Sequence, residues 1–487
     1  MLGNELADRH QLAWATTHFR AKRLNLVSSL NESFHMVVQG PARSAGRQVV
    51  PNRNPHLEVT VSFQGANSGR WYSVAVKVGI DVRSLQFAGA SRGTGLYIVN
   101  LLRALAGSGT NTEFVLLVNG SLPIPTSIAN LGPSFKIARI AGPASADSEY
   151  PWYLAHPRLR SSLPFLPGRH WRKFIEQHAT AFCKAVVSEA VDVVHFTAPF
   201  DPFLTPVVLT RIKTVYTFLD AIPYRYREEM YDQWDIDAKK LYELQAMALR
   251  TADRVVALSD ASRRDSIEFY GVSEQRAATI YCAVEPPKKG GWDVLEEAKR
   301  KFRIRAPYFV FCSVAEYHKG LDILVQAIAE YNETHSNPVQ LVVIGRQQNS
   351  NHAWIREVCF DAGISGREVR VTGYVSQQEL QSLYEGALAL VSPSRCEGFG
   401  LPAAEAMAAG VPVIAANSAS LPEVVGDAGI LYETEDVQAL VAAMERVINE
   451  PALRQKMIEK GRSQVTKFAP ELIAKQSLEL YAQLAKG

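Results

Sequence analysis

The sequence predicts an α/β protein built from two doubly wound domains. The chain has 487 residues, which is too long for a single hydrophobic core. From about Val74 onward, short apolar runs alternate with helical patterns, as they do in βαβ units with a parallel sheet. A cluster of proline, glycine and lysine at 285–291 interrupts this alternation, which then restarts. We interpret the cluster as a linker between the two domains.

The first 73 residues differ in sequence pattern from the rest of the chain. They show no sustained periodicity and contain scattered Arg, Asn, Gly and Ser. This composition predicts a poorly ordered or irregular N-terminal extension. The alternative is that the natural protein begins near Val74, where the strand pattern starts.

The first predicted domain, residues 74–290, opens with a βαβ unit. Its first strand is expected at 74–81, its helix at 96–105 and its second strand at 114–118. The loop between strand and helix contains Gly93, Thr94 and Gly95. The later apolar runs predict further strands at 191–195, 214–218 and 254–258, and a helix at 237–251.

The second predicted domain, residues 291–469, repeats this alternation. A helix is expected at 321–331, and the residues from 470 onward predict a last helix. Predicted strands lie at 308–313, 340–345, 369–373, 387–391 and 411–415.

The most informative segment lies between these last two strands. Two carboxylates, Glu397 and Glu405, flank a glycine turn that opens a predicted helix. Pro402 suits the start of a helix, and Gly410 suits its end. A helix N-terminus presents free amides and partial positive charge, so it binds phosphate well. The amides expected there belong to Phe399, Gly400 and Leu401.

Residues 394–414 closely resemble the signature of retaining glycosyltransferases of family 4. In that family two glutamates are separated by seven residues, and the first is followed by Gly-Phe-Gly-Leu-Pro. The resemblance covers about 74–486. It implies the GT-B fold, in which two Rossmann-like domains face each other across a cleft. Residues 74–290 would bind the acceptor, 291–469 the nucleotide sugar donor, and helix 470–487 would return to the first domain.

The resemblance also implies catalytic residues. Lys319 matches a lysine at the family's phosphate-binding strand end, where it would neutralise a leaving diphosphate. Asp220 matches the aspartate of the family's His-Asp-Leu-Ile-Pro segment, and Leu219 stands where many members have histidine. Glu397 would hold sugar hydroxyls and orient the donor. The sequence departs from the family pattern again at Val314 and at His318, which stands where an arginine is common.

The remaining implied residues bind the donor. Glu405 would bind the ribose hydroxyls, as a carboxylate does in dinucleotide sites. Arg346 would add positive charge near the diphosphate, and the residues after Gly373 would hold the base. The other donor-binding positions implied are Gly93, Thr94, Gly95, Tyr374, Val375, Phe399, Gly400 and Leu401.

The implied reaction moves a sugar from a nucleoside diphosphate sugar to a hydroxyl of a glycan or lipid-linked acceptor, with retained anomeric configuration. GDP-mannose is the first candidate donor. No Asp-x-Asp motif is evident, so neither a metal nor another cofactor is expected. Two alternatives remain: a nucleotide-sugar-binding protein with impaired catalysis, and an epimerase or hydrolase of nucleotide sugars on the same fold.

Composition and charge limit the partners. The net charge of +3 is too small to indicate nucleic-acid binding. The sequence has no apolar run of about 18 residues and no basic start followed by an apolar stretch, so we expect a cytoplasmic protein. Five cysteines without metal-like spacing agree with a reducing compartment. Aromatic and basic residues mix at 150–183; peripheral contact with the inner face of the membrane is the alternative to an ordinary loop and helix there.

Overall fold

The structure, a computed structural model, describes residues 76–87, 93–140, 179–202, 204, 206–209, 211–285, 290–305 and 307–486. All of them belong to one compact unit. The expectations for residues 1–73, for the linker residues 286–289 and for most of the aromatic and basic stretch at 150–183 lie outside the described residues.

Two parallel sheets organise the described chain. The first has the strand order β3-β2-β1-β4-β5-β6-β7, and the second has the order β10-β9-β8-β11-β12-β13. Every pairing is parallel. The first sheet is formed by β1 (Lys77–Asp81), β2 (Glu113–Asn119), β3 (Phe135–Ile140), β4 (Val193–Phe196), β5 (Lys213–Phe218), β6 (Arg254–Ala257) and β7 (Ala277–Thr279). The second is formed by β8 (Tyr308–Cys312), β9 (Gln340–Ile344), β10 (Val369–Gly373), β11 (Leu390–Ser392), β12 (Val413–Ala416) and β13 (Ile430–Tyr432).

Helices connect these strands. The helices that connect strands of the first sheet are α1 (Gly93–Gly107), α2 (Ile222–Arg225), α3 (Ile236–Thr251) and α4 (Asp260–Glu268). Residues 179–188 are also helical. The helices that follow are α5 (Trp292–Phe302), α6 (Leu321–Thr334), α7 (Asn349–Asp361), α8 (Gln377–Glu385), α9 (Leu401–Ala408), α10 (Leu421–Val425), α11 (Val437–Asn449), α12 (Pro451–Gln464) and α13 (Pro470–Lys486). Two parallel sheets with helical connections confirm the predicted α/β class.

Element ends differ from the predicted ones by a few residues, for local reasons. The strand predicted from 411 begins at Val413, because Pro412 has no N–H to donate to the ladder. The first helix begins at Gly93, three residues earlier than its apolar periodicity indicated. Helix α3 begins at Ile236 because the Asp235 carboxylate accepts from two amides of its first turn.

We call the part of the chain built on the first sheet, with α13, the N-terminal lobe, and the part built on the second sheet the C-terminal lobe. Helix α13 is C-terminal in sequence but packs against α1 and β4. Among the described residues, no helix is both long enough and apolar enough to cross a membrane.

A buried polar chain ties α13 to the first sheet. The Tyr481 hydroxyl lies 2.7 Å from His195 Nδ1, and Thr217 Oγ1 lies 2.8 Å from both His195 Nε2 and the Tyr97 hydroxyl. All four side chains are buried. Burial lowers the pKa of His195 to about 3, so the imidazole is neutral and each ring nitrogen has one partner.

We expect Tyr481→Phe to lower the free energy of unfolding by about 1–3 kcal/mol, because it leaves the buried Nδ1 of His195 without a partner. Denaturant unfolding checks this. Tyr374→Phe is the control, since Tyr374 is 74% exposed. Equal effects of the two substitutions would show that the buried chain adds nothing to stability.

Candidate active site

The site lies at the point where the second sheet reverses its strand order. From β8 the order runs outward through β9 and β10, and from β11 it runs the other way through β12 and β13. Ligands of open α/β sheets bind in the crevice at such a reversal, beyond the carboxyl ends of the strands. Lys319 follows β8 and Glu397 follows β11. The two side chains therefore enter this crevice from adjacent strands.

Lys319 and Glu397 form an ion pair. The Lys319 ammonium donates to both Glu397 oxygens, at 2.9 and 2.8 Å, and the Ser394 hydroxyl donates to Glu397 Oε1 at 2.8 Å. The two charged side chains are only 17% and 13% exposed. Burial alone lowers the pKa of Lys319, but the carboxylate of Glu397 outweighs it, and the pKa is raised. Lys319 is therefore a charged ammonium in a fixed position.

Asp220 lies beside this pair. It follows β5 in the N-terminal lobe, and its Oδ1 accepts from the Ile222 amide at 3.1 Å. Burial raises the pKa of Asp220; the charge of Lys319 opposes this shift and the charge of Glu397 adds to it. The structure thus brings together all three residues predicted to be catalytic, one of them from the opposite lobe.

The two lobes touch at Gly398. A Cβ on this glycine would lie 2.0 Å from the Leu219 carbonyl oxygen and 3.2 Å from Asp220 Cβ. The Gly398 carbonyl accepts from the hydroxyls of Ser259, at 2.7 Å, and Ser262, at 2.9 Å. Only a residue without a side chain allows this approach. The contact sets how far Asp220 lies from the Glu397 loop.

Helix α9 begins directly after this contact. Gly400 adopts a left-handed conformation (φ 94°) at its N-cap, and Pro402 is its second residue. No acceptor among the described residues binds the amides predicted to face a phosphate, those of Phe399, Gly400 and Leu401. The Phe399 ring is buried, with its centroid 5.1 Å from that of Phe468. Phe399 can therefore offer a ligand its backbone, while its side chain packs in the core.

Glu405 lies one turn inside α9. Its carboxylate has no hydrogen-bond partner among the described residues. Burial raises its pKa to about 7, well above the ordinary glutamate value near 4.5. A carboxyl group in this state gains most from a ligand that brings hydroxyl donors to it.

The other predicted donor-binding residues are not joined to the ion pair. Arg346 is exposed after β9, Tyr374 is exposed after β10, and Val375 is buried. All three nevertheless follow strands of the second sheet at the same edge as Lys319. In the described chain, no hydrogen bond links the three residues that open α1, Gly93, Thr94 and Gly95, to the Glu397 loop.

Because the family's arginine is replaced by His318, the charged groups of the crevice are mainly those of the Lys319–Glu397 ion pair. His318 is buried, and burial, together with the neighbouring Lys319 and Arg395, lowers its pKa to about 3. It is therefore neutral near pH 7 and does not replace the charge of an arginine. Cys396, next to Glu397, is also neutral, since burial raises its pKa to about 12.

Sequence reasoning missed Arg395, which holds the Glu397 loop in place. Its guanidinium donates to both Asp322 oxygens, at 2.9 and 2.7 Å, and to Glu435 at 2.7 Å. It also lies 4.2 Å from the centre of the Tyr317 ring. The partners are 40 to 78 residues away along the chain. No local spacing could have identified them.

We expect Gly398→Ala to separate the lobes locally and to destabilise the protein by about 1–3 kcal/mol, because the added methyl group would clash with the Leu219 carbonyl, which is backbone and cannot rotate away. Thermal melting measures the effect. Gly366→Ala is the control, since no atom lies within 4 Å of its added Cβ. An equal melting temperature for the two variants would contradict the close approach at Gly398.

Glu405 generates a prediction about pH. Between about pH 4.5 and 7 the folded state binds more protons at this carboxyl than the unfolded state, so its contribution lowers stability as pH rises. Glu405→Gln removes this effect. As the pH rises from 5 to 8, we expect the free energy of unfolding of the variant to increase by about 2–3 kcal/mol relative to that of the natural protein. Melting curves at both pH values measure the difference, with Glu479→Gln as an exposed control. A pH-independent difference would contradict the raised pKa.

Comparison with known proteins agrees with this architecture. The family model described as Glycosyltransferase Family 4 matches residues 91–287, and the model described as Glycosyl transferases group 1 matches residues 295–464. Sucrose-phosphate synthase of Thermosynechococcus elongatus superposes with a TM-score of 0.62 at 21% identity, over 84% of this chain and 99% of that one. The shared fold is GT-B, which confirms the predicted fold.

Two curated relatives come from Escherichia coli. An O-antigen chain mannosyltransferase B is 29% identical over 251 residues, which are 50% of this chain and 64% of the relative. A serotype-specific mannosyltransferase is 22% identical over 417 residues, which are 84% of this chain and 48% of the relative. The alignments thus span less than two thirds of either relative. With both family models matched in order and the GT-B fold shared, the chain belongs to glycosyltransferase family 4.

Proposed function

We propose that the protein transfers a sugar from a nucleoside diphosphate sugar to an acceptor hydroxyl with retention of anomeric configuration. The observation that supports this most is the cluster of Lys319, Glu397 and Asp220 at the switch point of the second sheet. The cluster joins a buried ammonium with two carboxyl groups in front of a helix N-terminus.

In this proposal the diphosphate of the donor lies between Lys319 and the start of α9. Negative charge grows on the diphosphate as the bond to the sugar breaks. The ammonium and the free amides of Phe399, Gly400 and Leu401 stabilise that charge without having to reorganise. No metal ion or other cofactor is part of the proposal.

The two glutamates take different parts of the donor. Glu397 is held by Lys319 and Ser394, so its oxygens are fixed in direction and suited to orient sugar hydroxyls. Glu405 has unused acceptor capacity and binds the ribose hydroxyls. Asp220, on the other lobe, faces the sugar or the incoming acceptor.

Retention follows from attack on the face that the diphosphate leaves. The acceptor oxygen forms the new bond to the anomeric carbon while the bond from that carbon to the diphosphate oxygen breaks. The electron pair leaves with the diphosphate, whose oxygen takes the proton of the acceptor hydroxyl. A double displacement would need a carboxylate nucleophile. Burial raises the pKa of Asp220, the carboxyl from the opposite lobe, and so favours its neutral form over the carboxylate that this route needs.

We propose GDP-mannose as the donor and a hydroxyl of a glycan or lipid-linked saccharide as the acceptor. The relatives named above are mannosyltransferases, and one is named for O-antigen chains. A lipid-linked acceptor would bring the protein into peripheral contact with the inner face of the membrane. Sedimentation with anionic vesicles at low salt tests that contact.

A panel of GDP, UDP and dTDP sugars tests the reaction. We expect GDP-mannose to raise the melting temperature most and to be consumed when a mannoside acceptor is present, with an α-linked product identified by NMR. Donor binding without turnover across plausible acceptors would instead favour a binding protein. A changed sugar nucleotide without acceptor would favour an epimerase or hydrolase.

Substitutions of the two glutamates should affect different kinetic parameters. We expect Glu405→Ala to weaken donor binding by about 10- to 100-fold, since a charged hydrogen bond contributes about 1.5–3 kcal/mol. Glu397→Ala should mainly lower kcat. Calorimetry with the donor and initial rates measure the two effects, and Glu479→Gln is the exposed control. Unchanged kinetics in both variants would refute the assignment of the site.

A further inference from the structure

We infer that Glu423 is a positioning residue that holds the C-terminal lobe against the N-terminal lobe by capping helix α4 from the opposite lobe. The inference rests on the proposed function for its catalytic consequence. Its structural basis is independent of any reaction.

Glu423 lies in α10 of the C-terminal lobe, and its carboxylate lies at the start of α4. Its Oε1 and Oε2 accept from the Asp260 amide at 2.8 and 3.0 Å, and Oε2 accepts from the Ala261 amide at 3.3 Å. The first amides of a helix have no partner inside the helix, and they carry partial positive charge. Here a carboxylate from the other lobe satisfies them.

Glu423 also lies near Tyr281. Burial, and after it the nearby Glu423 carboxylate, raise the pKa of Tyr281. Tyr281 follows β7 at the end of the N-terminal lobe, and its ring packs against Phe468 at a centroid distance of 5.2 Å. One carboxylate therefore caps α4 and lies near the segment that leads out of the N-terminal lobe.

The same end of α4 holds the Glu397 loop. Ser259 caps α4 by accepting from the Ser262 amide at 2.9 Å, and both hydroxyls reach the Gly398 carbonyl. On the other side, Ser420, directly before α10, donates to the Glu397 carbonyl at 2.9 Å. The loop thus lies between α10 and α4, and Glu423 joins these two helices.

This arrangement separates donor binding from transfer. The donor contacts proposed for Lys319, Glu397 and Glu405 all belong to the C-terminal lobe, whereas Asp220 belongs to the N-terminal lobe. A loose clamp changes the distance between Asp220 and Glu397 and leaves the donor contacts intact. Loss of Glu423 should therefore lower kcat more than it lowers donor affinity.

Hydrogen exchange of the free protein tests the clamp without any substrate. We expect Glu423→Ala to speed exchange of the amides of Asp260 and Ala261 by about 2- to 30-fold, the range for a carboxylate at a helix N-terminus. The exchange rate in Glu423→Gln should lie between those of Glu423→Ala and the natural protein, because the glutamine amide oxygen still accepts a hydrogen bond but carries no charge. Asp436→Ala is the matched control: Asp436 caps α11 through the Ala439 amide at 2.9 Å, within the C-terminal lobe.

Kinetics with GDP-mannose test the consequence. We expect Glu423→Ala to lower kcat by about 3- to 30-fold while the dissociation constant of the donor changes less than twofold, with partial recovery in Glu423→Gln. The control Asp436→Ala should leave both unchanged. Unchanged exchange at 260–261, or a parallel loss of kcat and donor affinity, would overturn the inference. If no donor is turned over, the proposed reaction fails and the exchange data alone decide on the clamp.

Discussion

The contact on which the active site depends is a backbone approach between the lobes at Gly398. The Gly398 backbone packs on the Leu219 carbonyl, and its own carbonyl accepts from two serines at the start of α4. Because Glu397 precedes this glycine and Asp220 follows Leu219, one close contact sets the distance between carboxyl groups on opposite lobes. The glycine turn of the family motif therefore serves the junction of the lobes as well as the helix N-terminus.

Charge balance explains why the crevice can be partly buried before a donor arrives. Lys319 is matched by Glu397, and Arg395 is matched by Asp322 and Glu435. His318, between these pairs, is neutral because burial lowers its pKa. A buried charge is costly unless it is paired, and removing one partner costs more than the pair contributes. A donor diphosphate must therefore compete with Glu397 for Lys319, which favours ligands that carry more than one negative charge.

The sequence predicted what local patterns encode, and it missed what distant contacts create. Apolar runs and glycines located ten of the thirteen described strands, and α9, within a few residues, whereas β3, β7 and β13 were not predicted. The family resemblance identified Lys319, Glu397 and Asp220, which lie together. Nothing in the local pattern showed that Glu423 caps a helix more than 160 residues earlier in the chain. For Phe399, the sequence motif identified the residue but not the position of its side chain. Only the structure shows that the ring packs in the core. The role of Phe399 in donor binding, like that of Arg346 and Tyr374, stays a prediction.

Glu405 connects the energetics of the fold with the proposed chemistry. Glu405 is half-buried and accepts no hydrogen bond from the described residues, and loss of hydration raises its pKa to about 7, which opposes its ionisation. Ribose hydroxyls would supply the missing donors and favour the ionised form, so donor binding at this position releases a proton when it occurs below pH 7. The cost that Glu405 imposes on the empty protein is then recovered in the complex. The ligand would then be bound in two ways: it forms new contacts, and it supplies hydrogen-bond donors to a carboxyl group that has none without it.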